Sequence, residues 1–469
     1  MNQPRGRGRN AAIGLITLAV FTGTAARYVL SPMQELVQAD LGLGDNQIAL
    51  LQGMAIALPT ALISIPVGRL VDRTNRTRLL IVLALLCAVG SLLTALSQGF
   101  AAAFASRMLV AAAVVAAQPA ALSLVSDLTQ PAERGRMIML TSLGQAFGGT
   151  AAYMLAGVLL AWLPGLVPAG GLLSGWAPWR LVQLAFAAAV LAASVAMLWM
   201  REPPRREDGG GADVAANPVA ADAVTTANAN AAAKRHAAAA ASAAADDANA
   251  DVNAGLGDSL RALWGYRRLL LPLAGGMVSI GMADAAASIW AVPILTRTFH
   301  QLPADFGPWL GMLNLGANVA GAVVGGLAAD LGQRGRGQSG ALWGAVLGAA
   351  LSVPAALFAV MPSVASFAVL LALLLASGAC VNIAATSAIM VLLPNRLRGM
   401  CISVLVAVIG LVAFGLAPLL VSLTARLSAD GGDLTVPLAS VGVVTSLAAT
   451  AAFVRAMRVA RHLNPGASA

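Results

Sequence analysis

The stretch from Gly68 to Leu80, GRLVDRTNRTRLL, decides how this chain folds. It places four arginines and one aspartate between two apolar runs, each of about the twenty residues that cross a bilayer as a helix. A turn this short and this basic is typical of the cytoplasmic side of a membrane, where Lys and Arg are retained. We therefore predict a cytoplasmic loop between two membrane helices.

A second copy of this turn, GLAADLGQRGR, begins at Gly326, 258 residues after the first. Asp330 corresponds to Asp72, and Arg334 corresponds to Arg76. A repeat at this separation indicates that the chain is built from two related halves.

Composition places both halves in a bilayer. Hydrophobic residues make up 59% of the 469 residues and charged residues 10%, and the mean hydropathy is +0.80, far too apolar for a soluble protein of this length. The net charge of +9 would suit a nucleic acid only if the basic residues shared one soluble face with stacking aromatics. Here the arginines punctuate apolar runs, so we expect no nucleic-acid partner.

Twelve apolar runs are long enough to span a membrane, six before a long polar segment and six after it. We predict an all-α membrane protein with twelve transmembrane helices in two pseudo-symmetric six-helix bundles. The predicted spans are 11–32, 47–67, 79–98, 101–125, 138–163, 180–200, 269–296, 306–329, 340–361, 364–392, 399–425 and 435–457.

The polar segment between the halves is rich in Ala, Asp and Asn and has almost nothing to bury, so we predict that it is largely disordered. The alternative is a transient alanine-rich helix around residues 237–245. The predicted organisation is a cytoplasmic tail at 1–10, an N-terminal bundle at 11–200, a cytoplasmic linker at 201–268, a C-terminal bundle at 269–457 and a cytoplasmic tail at 458–469.

The basic residues predict the orientation. Of 29 Lys and Arg, 24 fall in the N-terminal tail, the even-numbered connections and the C-terminal end. Because basic residues near span ends stay cytoplasmic, we expect both termini in the cytoplasm and the protein in the plasma membrane, which in a bacterium is the inner membrane. The five exceptions are Arg27, Arg107, Arg180, Arg297 and Arg426.

The first basic turn resembles the G-x-L-x-D-R-x-G-R loop between helices 2 and 3 of the major facilitator superfamily, and the resemblance extends over the whole chain. The one departure is Asn75 in place of Gly, and Asn tolerates the left-handed backbone geometry that the turn would need. The resemblance implies that Asp72 faces the start of helix 11 while Arg76 and Arg134 pair with nearby acids, closing a cytoplasmic gate. The implied gate residues are Gly68, Asp72, Arg73, Arg76, Arg134, Gly326, Asp330 and Arg398.

Within this superfamily the chain is most similar to Spinster-like transporters, in DNQIALLQG at 45–53, in Trp290 and Pro293 with Arg297 beyond, and in GLAPLLV at 415–421. The similarity makes a lysolipid-like substrate an expectation. Two departures stand out, because the Asp of helix 1 and the Glu of helix 4 in that branch are replaced here by Ala26 and Val114. Proton coupling is therefore left open.

Charges inside spans are costly and usually face a cavity or a partner. Asp284 is the one acidic residue well within a predicted span, and Arg27 and Arg107 are the clearest cations. The resemblance implies that helices 1, 4, 7 and 10 line a central cavity, which would bring these three together. We hypothesise that Arg27 or Arg107 receives an anionic head group while Asp284 balances the empty pocket.

Two alternatives for these charges stay open: a structural salt bridge, or Asp284 as the sole proton carrier. Polar and aromatic residues of the same helices are weaker candidates for substrate contact, since each alone more often packs. They are Tyr28, Gln118, Trp290, Asn382 and Thr386.

Local patterns give two further expectations. Gly144 with Gly148, and Gly321 with Gly325, have the spacing that lets two helices approach closely in lipid, although ordinary packing explains them as well. Asp45, just before the second span, is predicted to be a helix N-cap without a transport role.

We interpret the chain as a secondary transporter of a small amphipathic or anionic organic solute, lysolipid-like or drug-like, working by rocker-switch alternating access. The alternative is a facilitator or a transporter-derived sensor without ion coupling. An enzyme is disfavoured because His236, His300 and His462 lie outside the spans and no HExxH or GxSxG occurs. Three isolated cysteines do not form a metal-site spacing. We expect no metal, no cofactor and a monomer.

Overall fold

The structure, a computed structural model, describes residues 6–166, 171, 173–200, 256–427 and 433–463. Twelve helices in these ranges are long and apolar enough to cross a membrane, which confirms the predicted fold class. Most of the predicted linker, including the alanine-rich stretch at 237–245, lies outside the described residues.

We number the spanning helices α1 to α12, and three of them contain 3-10 or π-helical segments. α2 comprises Asp45–Ala49, a π-helical turn at Leu50–Met54 and Ala55–Arg73, and α11 comprises Asn395–Ile409, a π-helical turn at Gly410–Phe414 and Gly415–Leu427. α9 is Trp343–Ala355 between 3-10 segments Gln338–Leu342 and Ala356–Val360. The others are α1 Gly6–Tyr28, α3 Arg76–Leu96, α4 Phe100–Leu128, α5 Pro131–Leu166, α6 Pro178–Met197, α7 Arg267–Arg297, α8 Pro303–Arg336, α10 Val364–Leu392 and α12 Thr435–Leu463.

Prolines mark the start of three of these helices. Pro131, Pro178 and Pro303 occupy the first helical position, where the missing N–H would have no partner anyway and the fixed φ suits the helix. The local sequence therefore sets where α5, α6 and α8 begin.

The turn between α2 and α3 differs from the expectation in its backbone. Asn75 has φ −70° and ψ 112°, an extended conformation, and its side-chain oxygen accepts a hydrogen bond from the Arg78 amide at 2.8 Å. Asn75 is thus the N-cap of α3, so the left-handed geometry that we expected at this position was wrong. An Asn at an N-cap satisfies one of the free amides of the first helical turn.

The two glycine pairs bring helix backbones together, as predicted. A Cβ on Gly148 would overlap the Phe21 carbonyl, and a Cβ on Gly321 would overlap the Ala376 carbonyl. α5 therefore packs directly on α1, and α8 packs directly on α10. Close approach of this kind is the main source of helix association in lipid, where no hydrophobic effect operates between helices.

The two bundles touch along α5 with α8 and along α2 with α11. A Cβ on Gly157 would overlap the Pro303 carbonyl, so the end of α5 lies against the start of α8. The π-helical turns of α2 and α11 also meet, because a Cβ on Gly53 would overlap the Phe414 carbonyl. Both contacts lie toward the predicted outer side of the membrane.

Besides the short 3-10 turn at Ser31–Met33, two described α-helices lie outside the spanning helices. Leu256–Gly265 precedes α7, and Gln34–Leu41 follows α1 on the predicted outer side. In the latter, Asp40 accepts hydrogen bonds from Arg180 at 2.8 and 3.0 Å and from the Trp179 indole at 3.0 Å. This surface helix is therefore fastened to the start of α6 within its own bundle.

Candidate functional site

A cavity of about 250 Å³ lies between the two bundles. α1, α2, α7, α10 and α11 line it, whereas α4, which the resemblance implied, contributes no lining residue. Its polar lining consists of Arg27, Thr60, Asn382 and Thr386, and the remaining side chains are apolar. Since Thr386 lies in the second half of α10, the cavity reaches toward the predicted cytoplasmic side.

A second cavity of about 130 Å³ adjoins the first within the C-terminal bundle. Its polar side chains are Asp284 from α7, Asn318 from α8 and Asn382 from α10. The two cavities share Asn382 and three apolar residues, so they form one continuous lining. Those three shared residues are Met277, Ile409 and Phe414.

Arg107 lies behind Arg27 and does not line the large cavity. Its side chain is 1% exposed, and Nη2 donates to the Arg27 carbonyl oxygen at 2.7 Å. Nε and Nη1 of Arg107, and Nε of Arg27, have no hydrogen-bond partner among the described residues. Ala26 and Val114, at the positions of the absent acids, are buried and apolar. The site thus contains two neighbouring cations and no described carboxylate that neutralises them.

Asp284 is the opposite case, a carboxylate without a cation. No hydrogen bond or ion pair within the described ranges reaches it, and its Oδ1 lies against Gly378 of α10, 3.3 Å from where a Cβ would stand. The structural salt bridge considered from the sequence is therefore not among the ion pairs of the described residues.

The weaker candidates divide between the cavity and the core. Asn382 and Thr386 line the cavity, and the Tyr28 ring lies 5.5 Å from the Arg27 guanidinium. Trp290 is fully buried and donates its indole N–H to the Pro418 carbonyl at 3.0 Å. Gln118 instead donates to Gln145 of α5, beside a separate void of about 20 Å³ inside the N-terminal bundle.

Two of the described gate residues, Arg76 and Arg398, make contacts inside their own bundles. Arg76 is buried, forms an ion pair with Asp127 of α4 and donates to the Ser123 hydroxyl at 2.8 Å. Arg398 donates to the Leu393 carbonyl at 2.9 Å at the end of α10. Asp330 is exposed and Gly326 is half-buried. The side chains of Gly68, Asp72, Arg73 and Arg134 lie outside the description, so the implied gate stays a prediction.

On the predicted outer side, a charged network joins the bundles, and sequence reasoning missed it. Arg297, at the end of α7, donates to both Glu35 oxygens at 2.9 Å and to Asp45 at 2.8 and 3.2 Å. Gln38 accepts from Arg297 at 3.0 Å and donates to Asp45 at 2.8 Å. We call these four residues the outer network.

The outer network corrects the expectation for Asp45. The N-cap of α2 is Gly44, whose amide donates to the Gln47 side chain at 2.9 Å, so Asp45 is not the cap. Its carboxylate instead joins the two halves. The sequence signal that was available is charge. Arg297 is an exception to the orientation pattern at the outer end of the second half, and Glu35 and Asp45 lie at the outer end of the first half.

An amide contact lies beneath the outer network. Gln34 donates to the Ile289 carbonyl of α7 at 2.9 Å, and Gln52 donates to the Gln34 oxygen at 3.1 Å. Both glutamines are buried, so these hydrogen bonds satisfy polar groups that burial removes from the solvent. The contact between the bundles therefore includes neutral as well as charge-assisted hydrogen bonds.

The chain is similar in sequence and in architecture to known membrane transporters. The sequence model of the Major Facilitator Superfamily matches residues 16–418. The structure of a bacterial homolog to human lysosomal transporter, Spinster, in an inward-facing and unoccupied conformation is similar with a TM-score of 0.75 over 98% of both chains, at 18% identity. The nucleoside transporter NupG is similar with a TM-score of 0.66 over 95% of this chain and 100% of that chain, at 12% identity.

A curated relative is more similar in sequence over a shorter stretch. The triacylglyceride transporter of Mycolicibacterium smegmatis is 31% identical over 163 residues, which cover 33% of this chain and 28% of that protein. The matched region is thus less than a third of the relative's length.

Proposed function

Because the chain belongs to the major facilitator superfamily and is a multi-pass transporter of the plasma membrane rather than an enzyme, we propose that it moves a small amphipathic anion. One observation carries the proposal. Arg27 is the sole charged side chain that lines the described large cavity, and most of the remaining lining is apolar. A lysolipid-like molecule, with an anionic head and an apolar tail, has the matching chemistry.

Arg27 is the proposed head-group ligand. A guanidinium binds carboxylate or phosphate through paired hydrogen bonds, and its Nε has no described partner. Arg107 supports it from behind by adding positive charge and by holding the Arg27 carbonyl. The Tyr28 ring covers the guanidinium and limits its orientation.

The proposed mechanism is alternating access by rocking of the two bundles around this cavity. The outer network and the π-helical turns hold the outer ends together, while the cavity extends toward the predicted cytoplasmic side. Breaking the outer contacts and forming the cytoplasmic gate would expose the cavity on the other side. We propose that the protein works as a monomer in the lipid bilayer.

A facilitator without proton coupling is the second candidate. It is favoured because Ala26 and Val114 replace the two acids that the Spinster-like pattern carries, and both are buried among apolar residues. Proton coupling, if present, would instead depend on Asp284, the one acidic residue well within a predicted span.

Flux in proteoliposomes tests both candidates. The full chain is reconstituted, and uptake of lysophosphatidic acid and of a panel of drug-like anions is measured with and without an imposed pH gradient. We expect Arg27→Gln to reduce lysophosphatidic acid flux by roughly tenfold or more, the value of one charge-assisted contact, and the exposed Arg455→Gln to leave it unchanged.

The gradient then separates the mechanisms. Flux that the gradient drives, and that Asp284→Asn abolishes, makes Asp284 the coupling carboxylate. Flux that is the same with and without the gradient identifies the protein as a facilitator. Ligand binding without flux of any panel member makes it a sensor and overturns the transport proposal.

A further inference from the structure

The second cavity has an acceptor set that the anion proposal does not use. Asp284, Asn318 and Asn382 reach it from three different helices. Asn318 donates an amide N–H to the Asn314 carbonyl at 2.8 Å, which leaves its side-chain oxygen as an acceptor. Asn382 has no hydrogen bond to a described residue, and both asparagines are exposed although they lie within spanning helices.

A carboxylate here is costly unless something positive approaches it. An isolated charge in a low-dielectric interior loses most of its hydration, and intramembrane acids are normally paired. Neither Arg27 nor Arg107 pairs with Asp284, and the charged groups facing the second cavity reduce, among described residues, to Asp284 itself. The described residues that line this cavity therefore supply no cation to balance the charge of Asp284.

The acceptors distinguish which cation fits. Oxygen-binding metal ions take about six or more oxygen ligands, whereas here three oxygen-bearing side chains stand among glycines and apolar residues. A primary ammonium group has three N–H donors, which matches one carboxylate and two carboxamide oxygens. A quaternary ammonium has no N–H donor and would leave both carboxamides unused.

Space at the carboxylate is kept by a glycine. A Cβ on Gly378 would stand 3.3 Å from Asp284 Oδ1, so any larger residue would crowd the oxygen that the cation must reach. The cavity of about 130 Å³ has room for an ammonium group with its adjoining methylenes. A proton alone would need no such space.

We propose that the Asp284, Asn318 and Asn382 cavity binds a primary ammonium group of the transported molecule. The inference rests on the proposed function, because the two cavities share Met277, Asn382, Ile409 and Phe414 and one molecule can reach both. The cargo is then a zwitterion, with its anionic group on Arg27 in one bundle and its ammonium on Asp284 in the other.

Such a molecule bridges the bundles electrostatically. Its two charges fix its orientation in the cavity, since reversal would place like charges together. The bundles also lose one of these contacts when they separate around the site, so an ammonium-bearing cargo distinguishes the conformations more strongly than a simple anion does.

Binding to the full chain in nanodiscs tests the proposal with four probes. Lysophosphatidylethanolamine and lysophosphatidylcholine with the same acyl chain differ only in three methyl groups on nitrogen, lysophosphatidic acid lacks the ammonium, and dodecylamine lacks the anion. Dissociation constants are measured by tryptophan fluorescence for the wild type, for Asp284→Asn and for Asp305→Asn, which neutralises an exposed carboxylate of α8.

We expect the wild type and Asp305→Asn to bind lysophosphatidylethanolamine roughly tenfold more tightly than lysophosphatidylcholine, the factor that a charge-assisted hydrogen bond provides. Asp284→Asn should remove this preference and leave the Kd of lysophosphatidic acid within about threefold. Gly378→Ala, which keeps every charge, should reduce the preference by a smaller factor. If Asp284→Asn does not fold, the preference measured in Gly378→Ala tests the ammonium site.

The outcomes separate the two proposals. Equal wild-type affinity for the ethanolamine and choline lipids overturns the ammonium site and leaves the anion proposal standing. Asp284-dependent binding of dodecylamine without binding of any lysolipid supports the ammonium site and overturns the lysolipid proposal. A preference that survives both Asp284→Asn and Gly378→Ala overturns the assignment of the site to Asp284.

Discussion

The outer network and the central cavity treat charge in opposite ways. At the outer side, Arg297 satisfies Glu35 and Asp45 together through charge-assisted hydrogen bonds no longer than 3.2 Å. In the cavity region, Arg27, Arg107 and Asp284 have no ion-pair partner among the described residues. The chain has therefore paired its charges at the outer ends of the bundles and left those around the cavity without a described ion-pair partner.

This difference teaches where each set of charges obtains its stabilisation. Paired groups stabilise the conformation in which they meet, and they weaken when the bundles separate. Unpaired groups are costly in the empty protein and gain most when a ligand of opposite charge arrives. The outer network is thus a contact of one conformation, whereas the cavity charges are, under the proposed function, a recognition site.

Loss of Arg297 should have the largest effect. Arg297→Leu removes the cation that donates hydrogen bonds to both Glu35 and Asp45, and it leaves Arg426 as the remaining positive charge near Asp45. We expect the outer side to open by a shift of roughly 10- to 100-fold in the conformational equilibrium, which is about 1.4–2.7 kcal/mol. Spin labels at the exposed Leu36 and Leu427, one in each bundle, report the change as a longer distance.

A matched control tests whether the position of the pair matters. Arg9→Leu also removes an arginine from a carboxylate, Glu133, but both partners belong to the N-terminal bundle and lie on its predicted cytoplasmic side. It should leave the Leu36 to Leu427 distance unchanged. Opening in both variants, or in neither, would contradict the role given to the outer network.

Crowding the π-helical turns should come next. Gly53→Ala places a Cβ where the Phe414 carbonyl lies, so α2 and α11 must move apart. We expect roughly 1–3 kcal/mol against the closed outer side, the usual cost of overpacking, and the same spin-label pair measures it. Gly99→Ala has open space around its Cβ and provides the control. An unchanged distance in Gly53→Ala would show that the two turns do not hold the bundles together.

Removing an unpaired cation should have a smaller effect on stability. Arg107→Leu deletes a buried guanidinium with two unsatisfied nitrogens, so we expect the free energy of unfolding to change by about 1 kcal/mol or less. Arg76→Leu removes a buried cation that Asp127 does pair with, and it should cost several times more. Unfolding of the purified protein in mixed detergent compares the two. An equally large loss in Arg107→Leu would mean that its charge is paired after all.

Sequence reasoning succeeded where a local pattern has a single physical consequence. Runs of apolar residues long enough to span a bilayer have few other uses, so the twelve helices followed from hydropathy. The spacing of Gly144 with Gly148 foresaw a close helix pair for the same reason. Such features need only the neighbours along one helix.

It failed where partners come from distant parts of the chain. Asp45 has a good N-cap position, and nothing near it in sequence reveals that Arg297, 252 residues away, takes its carboxylate. Helix 4 was expected to line the cavity, but the rotation of α4 turns Arg107 behind Arg27, and rotation depends on packing against all neighbours. The local sequence determines which segments form helices, but it does not determine which residues of two helices face each other.

Ionic strength should give the smallest effect and separates the two regions without a mutation. Arg297, Glu35 and Asp45 keep 33%, 25% and 21% of their side chains exposed, so salt can screen them. The Debye length falls from about 10 Å at 0.1 M to about 3 Å at 1 M salt. Over this range we expect salt to shift the equilibrium toward the open outer side by a few tenths of a kcal/mol, because exposed ion pairs contribute roughly 1 kcal/mol or less. The Leu36 to Leu427 distance distribution reports the shift. The Gly53 contact involves no charge, so in Arg297→Leu the salt response should shrink to the weaker attraction between Arg426 and Asp45 while the residual closure stays. A salt response of unchanged size in Arg297→Leu would assign it to charges other than the outer network.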